Sequence, residues 1–314
     1  MIRATGTSIN DSMVYQVNQT LQNEQQLENE VTTGLQVQNP SDNPSAMRSI
    51  LDEQAESSSV SQFQNNITQV QQQATSATSA MQSLQTIVSQ ASDIATEADG
   101  TTTQQDLNNY ATQVTQLIQE AAQAVNSTFE GNYLFGGTLN SQPPYTVSQD
   151  SSGNVTSVTY NGNTSVPSVE IAEGVTLASL PVGANTTGSG ADGLITDSRT
   201  GADLFSHLIS LQNDLLSGNT SAINSTDLPN LQKDSDNVTQ QIATNGALQS
   251  RMNAESTILQ SRGAALTQLT SSQADADLAT AMTQLQQNQT AYQAAVQATA
   301  SFQALTLSIL AYLQ

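Results

Sequence analysis

Cysteine is missing from the whole chain, which excludes disulfides, thiolate zinc sites and thiol redox chemistry and suits work outside the cell as well as inside it. Tryptophan is missing too, and aromatic residues fill only 4% of 314 positions. A thick globular core is poorly served by such a composition, whereas thin helical packing is well served. Charge is scarce and one-sided: six Lys and Arg stand against 27 Asp and Glu, a net charge of -21. Phosphate binding draws its affinity from Lys and Arg, so nucleic acid is disfavoured as a partner, and an anionic membrane surface is disfavoured for the same reason. No run of 18 apolar residues exists to span a membrane, and the opening Met1-Ile2-Arg3-Ala4-Thr5-Gly6 lacks the apolar stretch of a secretory signal. Export, if it occurs, is expected to use another route.

Residues that carry chemistry are equally sparse. The single histidine, His207, forbids a two-histidine metal motif and would have to bear any Ser-His-Asp catalysis alone. Beside the apolar stripe of Leu204, Phe205 and Leu208 it reads as a structural residue. Asp275 and Asp277 fit a turn before a helix better than a catalytic carboxylate pair, and Gly136-Gly137 lacks the lysine of a phosphate loop. No catalytic, cofactor or metal site is expected, although two carboxylates brought together by folding would escape this reading.

Helical periodicity dominates what is present. Val60, Phe63, Ile67, Val70, Ala74, Ala77, Met81, Leu84, Val88, Ala91, Ala95 and Ala98 follow in steps of three and four, a coiled-coil seam of five heptads. Unbroken by Gly or Pro, it predicts a helix of roughly 60 Å, which needs long partners. An earlier helix is predicted from about Ser8 to Leu35 on Val14, Val17, Leu21, Leu27, Val31 and Leu35. Asn39-Pro40-Ser41-Asp42-Asn43-Pro44 forms the turn between them, with Asn43 or Asp42 as cap and Pro44 in the first helical turn. Gly100 is placed as a left-handed stop, and Thr103 with Asp106 as a capping box for a helix reaching about Phe129.

After Gly131 the pattern changes to short β-runs: Tyr145 to Gln149, Val155 to Tyr160, Ser168 to Ala172 and Val175 to Leu180. Helical stripes return near Ala202, run again from Leu228 to about Leu269, and close with Leu278, Met282, Leu285, Tyr292, Ala295, Thr299, Phe302, Ile309 and Leu313. The expected fold is therefore mainly α, with long antiparallel helices from both termini forming a coiled-coil-like rod around a small β-rich middle domain. Its expected divisions are a terminal assembly helix over 1–40, helical parts over 41–140 and 199–274, a β-rich insert over 141–198, and a second assembly helix over 275–314. Because both flanks of the insert are helical, its removal is expected to leave the helical body folded. The assembly seam is assigned to Val14, Val17, Leu21, Leu285, Tyr292, Phe302, Ile309 and Leu313.

Two long helical stretches carry no charge at all: none lies between Glu56 and Asp93, and none follows Asp277. Free coiled coils place Glu and Lys beside the seam to choose partners, whereas Gln, Ser, Thr and Asn stand there in this chain. Such flanks fit a drift toward neutral polar residues, faces covered by neighbouring subunits, or faces lining a passage where charge would be harmful.

Several segments also resemble the flagellin family, on the side of its hook-filament junction proteins. Thr33-Gly34 followed by Pro40-Ser41-Asp42-Asn43-Pro44 resembles that group's first turn. Tyr133, Phe135 and Gly136 within Glu130-Gly131-Asn132-Tyr133-Leu134-Phe135-Gly136-Gly137 are similar to its signature before the middle domain, with Gln142-Pro143-Pro144-Tyr145 following. Ala274-Asp275-Ala276-Asp277-Leu278-Ala279 resembles the opening of its last helix. Filament flagellins differ at the first turn, and the Leu-Leu-Arg ending familiar among them is replaced by Leu310-Ala311-Tyr312-Leu313-Gln314. One departure from the junction pattern is the missing basic residue after Gly34.

The resemblance implies a structural adaptor of the bacterial flagellum, assembled as a ring of its own copies between another hook-associated junction protein and flagellin. It also implies extracellular localisation, export through the flagellar type III channel without a cleaved signal, and an export chaperone on the C-terminal helix. A filament flagellin, and a secreted binding or hydrolytic module carried on a helical stalk, stand as the alternatives.

Overall fold

The computed structural model describes residues 2–178 and 180–312, except for the side chains of residues 2–10, 306–307 and 309–312. Three helices come first: α1 (Ile2–Thr33), α2 (Pro44–Glu97) and α3 (Gln104–Val125). Nine short strands follow, β1 (Thr128–Phe129), β2 (Asn132–Tyr133), β3 (Tyr145–Gln149), β4 (Val155–Tyr160), β5 (Ser168–Ala172), β6 (Val175–Ala178), β7 (Val182–Asn185), β8 (Gly193–Asp197) and β9 (Ala202–Asp203). The chain then returns to helix in α4 (Leu204–Ser217), the short α5 (Thr220–Ala222), a π-helical turn (Ile223–Asp227), α6 (Leu228–Ala274) and α7 (Leu278–Tyr312). Two compact units divide the chain, residues 60–260 and residues 1–59 with 261–314.

In the unit of residues 60–260 the predicted seam of α2 is the core. Every member from Ile67 to Ala98 is buried, and Phe63 alone is half-buried. Against it lie Leu107, Val114, Ile118 and Ala121 of α3, Leu204, Leu208, Leu211 and Leu215 of α4, and Leu231 and Val238 of α6. Polar side chains fix the register of α2 against α6: Asn245 Nδ2 donates to the Ala74 carbonyl at 2.7 Å, and Gln71 Nε2 to Asn253 Oδ1 at 2.6 Å. The numbering of these pairs runs in opposite directions, so the helices are antiparallel.

Thr103 caps α3 as expected, the Asp106 amide donating to its Oγ1 at 3.2 Å, but the return bond of the capping box is replaced by one from the Thr103 hydroxyl to Asp106 Oδ2 at 2.6 Å. Gly100 is not the left-handed stop; its φ is not positive. Asp99 organises that turn instead, its Oδ1 accepting from the Thr101 amide and hydroxyl, both at 2.7 Å. A small acidic residue satisfies the freed donors as well as a glycine would relax the backbone.

β3 pairs antiparallel with β4 and β5 with β6, on the expected segments. A three-stranded sheet, in which β7 runs parallel to β8 and β8 antiparallel to β9, is not signalled by the sequence pattern. The strands are not an independent insert. Tyr145, Val155, Leu194 and Ile195 belong to the same buried cluster as the helices, and the Tyr145 ring lies 5.2 Å from that of Phe205 in α4. Side-chain amides tie strands to helices: Asn66 Nδ2 donates to the Glu170 carbonyl, Asn126 clamps both backbone groups of Tyr145, Gln212 Nε2 donates to the Val155 carbonyl, and Asn237 Nδ2 donates to those of Gly193 and Leu194.

In the other unit, α1 and α7 pack along each other, Asn288 Nδ2 donating to the Thr20 carbonyl at 3.0 Å. The start of α2 and the end of α6 meet through Glu53, which accepts from Thr270 Oγ1 at 2.9 Å and Gln273 Nε2 at 3.0 Å. α1 begins at Ile2, ahead of the expected Ser8, despite the helix-weakening Gly6.

Candidate assembly surface

The turn that joins α1 to α2 also fixes where α7 begins. Gly34 ends α1 at φ +74°, and the next residues pair with the α6–α7 junction: the Gln36 amide donates to the Ala274 carbonyl at 2.7 Å, and the Ala276 amide to that of Gly34 at 2.8 Å. Leu35, Val37, Ala46, Met47, Ile50 and Ala274 bury a small core around this crossing. Leu35 stands after Gly34 where a basic residue was missed, and its side chain serves that core.

Within the turn each motif residue has a task. Asp42 Oδ2 accepts from the amides of Asn39 at 2.8 Å and Gln38 at 3.1 Å, and these bonds hold its carboxyl below the ordinary range. Asn43 caps α2, its Oδ1 accepting from the Ala46 amide at 3.1 Å, and Pro44 opens the helix where a missing amide costs nothing. Asp277 caps α7 in the same way through the amides of Ala279 and Thr280; bonds from Thr280, hydroxyl first, hold its carboxyl low.

From this anchored end α1 and α7 extend with little of their apolar surface covered. Val17, Leu285, Tyr292 and Phe302 are half-buried, whereas Val14 (42%), Leu21 (36%), Met282 (56%), Val296 (41%) and Leu305 (58%) are exposed. Tyr15, which the seam did not include, is 70% exposed. Single exposed apolar residues are ordinary; a whole stripe of them, shared between α1 and an α7 that has no charged residue, marks a surface suited to being covered. The Ile309 side chain and Leu313 lie outside the described residues.

The second motif lies in the unit of residues 60–260. Phe135 is fully buried, Tyr133 half-buried, and a Cβ at Gly136 would strike the Leu139 carbonyl oxygen. Tyr160 Oη closes the segment by donating to the Phe135 carbonyl at 3.0 Å. Just before it β1 and β2 form a hairpin with a two-residue loop, Glu130-Gly131, both residues at positive φ. That geometry favours Asn before Gly, because the short polar Asn side chain hydrogen-bonds locally in the left-handed region and the longer Glu does not. E130N is therefore expected to stabilise the protein by about 0.5–1 kcal/mol, read from the denaturation midpoint; an unchanged or lower midpoint would contradict it.

His207 is a structural residue in this fold. Its Nδ1 lies 2.8 Å from Asp234 Oδ2, while Asp234 Oδ1 accepts from the Asp203 amide at 2.9 Å. Burial works against the imidazolium, but the hydrogen bond and charge of Asp234 outweigh it and raise the His207 pKa. Among the described residues no group of three or more His, Cys, Asp or Glu side chains is placed to hold a metal ion, and no helix is long and apolar enough to cross a membrane.

One unit presents paired terminal helices with an uncovered apolar stripe, and the other a core shared by helices and β-strands, the architecture of a mainly helical structural subunit. The chain belongs to the bacterial flagellin family: the model of its N-terminal helical region matches residues 7–140, and that of its C-terminal helical region residues 228–313. Among solved structures, the fold is similar to a protein assigned as flagellar hook-associated from Vibrio parahaemolyticus, at 21% identity and a TM-score of 0.63, over 74% of this chain and all of that one. It is also similar to FlgL of Xanthomonas campestris, at 17% identity and a TM-score of 0.55, over 68% of this chain and 98% of that one. The flagellar junction protein FlgL of Legionella pneumophila matches at 13% identity and a TM-score of 0.50, over 74% of this chain and all of that one. These likenesses establish the fold. No curated protein matches the sequence.

Proposed function

We propose that the protein is a structural adaptor of the bacterial flagellum, joining the hook-associated region to the flagellin filament in the manner of hook-associated protein 3. The observation that carries this reading is the terminal pair, in which α7 has no charged residue while Met282, Val296 and Leu305 stand exposed beside Val14 and Leu21 of α1. Such a surface gains by burial against further copies and needs no ion-pair partner. Membership of the flagellin family supports a flagellar and extracellular place, and the hook-associated and junction proteins that share the fold support the junction over the filament.

On this reading residues 1–40 and 275–314 are assembly helices that meet other copies in a ring, the other hook-associated junction protein on one side and flagellin on the other. Residues 41–140 and 199–274 form the helical body, and 141–198 its β-rich part. The chain leaves through the flagellar export channel without a cleaved signal, with a chaperone covering the apolar stripe of α7 beforehand. Its task is geometric, matching one assembly to another, and no cofactor enters.

The family models carry the name of flagellin itself, so a filament subunit is the second reading. Deleting the gene separates the two. Loss of a junction adaptor leaves hooks without filaments and sheds flagellin monomers into the medium. Loss of a filament subunit leaves completed junctions and no shed flagellin, an outcome that would overturn the proposal.

A further inference from the structure

A carboxyl group is buried where α4 meets the start of α6, and nothing assembled at the terminal helices uses it. Asp227 closes the π-helical turn Ile223–Asp227 and has no exposed surface. Its Oδ1 accepts from Ser210 Oγ of α4 at 2.8 Å, while no donor among the described residues reaches its Oδ2, also buried. An ionised carboxylate with one oxygen unpaired in an interior is costly; a protonated one has a donor to offer.

The surroundings supply an acceptor for that donor. α4 carries two titratable residues, His207 and Asp214, and both act on Asp227, whereas α5, which also packs on the turn, carries none. His207 is itself paired with Asp234 of α6 and faces Asp203 of β9 and Lys233 of α6. Asp214 is therefore the like charge that an ionised Asp227 meets. π-Turns inside helices often mark places where a backbone adjusts.

We propose that this turn is a proton-gated clasp: a proton on Asp227 holds the π-turn closed on α4, and its loss loosens the turn, so the unit of residues 60–260 is firmer in mild acid than at neutral pH. In the closed state the Asp227 hydroxyl donates to the Asp214 carboxylate and Ser210 serves the other oxygen. On ionisation the donor is gone, and the buried Asp227 charge faces that of half-buried Asp214. Burial, with the Asp214 charge adding to it against the Ser210 bond, pushes the Asp227 carboxyl up to about 6 from 3.8. A folded-state value above the unfolded one means the bound proton stabilises fully below about pH 4, and that contribution is lost as the pH rises through about 6. His207, also raised, acts in the same direction and loses its contribution above 6.5. The capping and turn carboxylates held low, Asp99, Asp150 and Asp197, lose theirs only below about pH 4.

The test is amide hydrogen exchange of residues 223–228 in the full chain at pH 5 and 7.5, corrected for the intrinsic pH effect, with denaturant unfolding alongside. Wild-type protection should fall by about tenfold or more at the higher pH, since a shift of two units spans up to about a hundredfold. D227N puts an amide donor where the proton sat, and should keep its protection at pH 7.5. D214N removes the facing charge and leaves the burial of Asp227 in place, so it should recover a measurable part of the loss, which keeps the question answerable if D227N fails to fold. Equal wild-type protection at both pH values, or a D214N chain that loosens as the wild type does, would overturn the clasp.

Discussion

A chain cut after Ala300 keeps its central fold, fails to enter the flagellum and does not restore motility to a strain lacking the gene. The cut removes Phe302 and Leu305 from the apolar stripe of α7, together with Ile309 and Leu313 of the seam expected from the sequence, and Leu305 is 58% exposed in the chain alone. Each large apolar side chain buried on assembly contributes about 1.5–3 kcal/mol before ordering costs, so the truncated helix forfeits several kcal/mol of attachment. The unit of residues 60–260 lies far along the chain from the cut and retains its core. Salt provides the companion result: raising it to about 1 M shrinks the screening length to about 3 Å, yet α7 has no charge to screen, so assembled full-length protein stays in place. Motility restored by the truncated chain, or release of the protein by moderate salt, would contradict the attachment described for α7.

Deleting residues 141–198 abolishes cooperative folding of the unit of residues 60–260. Strand residues and helices share one core, so the deletion strips Tyr145, Val155, Leu194 and Ile195 from beside Phe205, Leu208 and Leu211 and leaves the side chains of Asn126, Gln212 and Asn237 without their carbonyl partners. Four buried side chains at about 1.5–3 kcal/mol each amount to about 10 kcal/mol, comparable with the whole stability of a domain. Circular dichroism during denaturation should show a broad transition of low cooperativity. A sharp transition near the wild-type midpoint would mean the helices hold together unaided.

That result reverses what the sequence alone suggests, and the reason is physical. A change of periodicity from three-four to alternation reveals that the chain changes secondary structure after Gly131, and the strands at 145–149, 155–160 and 168–172 follow the pattern. It does not reveal what the strands pack against. The α2 seam was legible because apolar residues at helical spacing have one place to go; Gln212, Asp234, Asn237 and Asn245 were not, because polar residues on a helix read as solvent-facing although all four are buried. Asp227 was hidden for the same reason. The hairpin at Thr128–Tyr133 was too short to register as alternation, although Glu130-Gly131 carries half of a turn signal.

At the assembly surface the three-four multiples identified which residues form the stripe, but not which side of each helix its partner would leave open. Leu285 and Val17 are half-covered within the chain, Met282 and Leu305 are left outside, and spacing alone treats them alike. Val14 and Leu21 likewise fall on the open side.

The absence of cysteine gives the central claim its sharpest test. M282C introduces the chain's sole thiol at a position 56% exposed on α7, and S152C places one on the exposed β3–β4 turn as a control. Each is treated with a thiol reagent as purified monomer and again in flagella isolated from motile cells. The thiol at 282 should react readily in the monomer and become protected in the flagellum, while that at 152 reacts in both; labelling at 282 that is equally fast in monomer and flagellum would show that the uncharged face of α7 is not where the protein joins its neighbours.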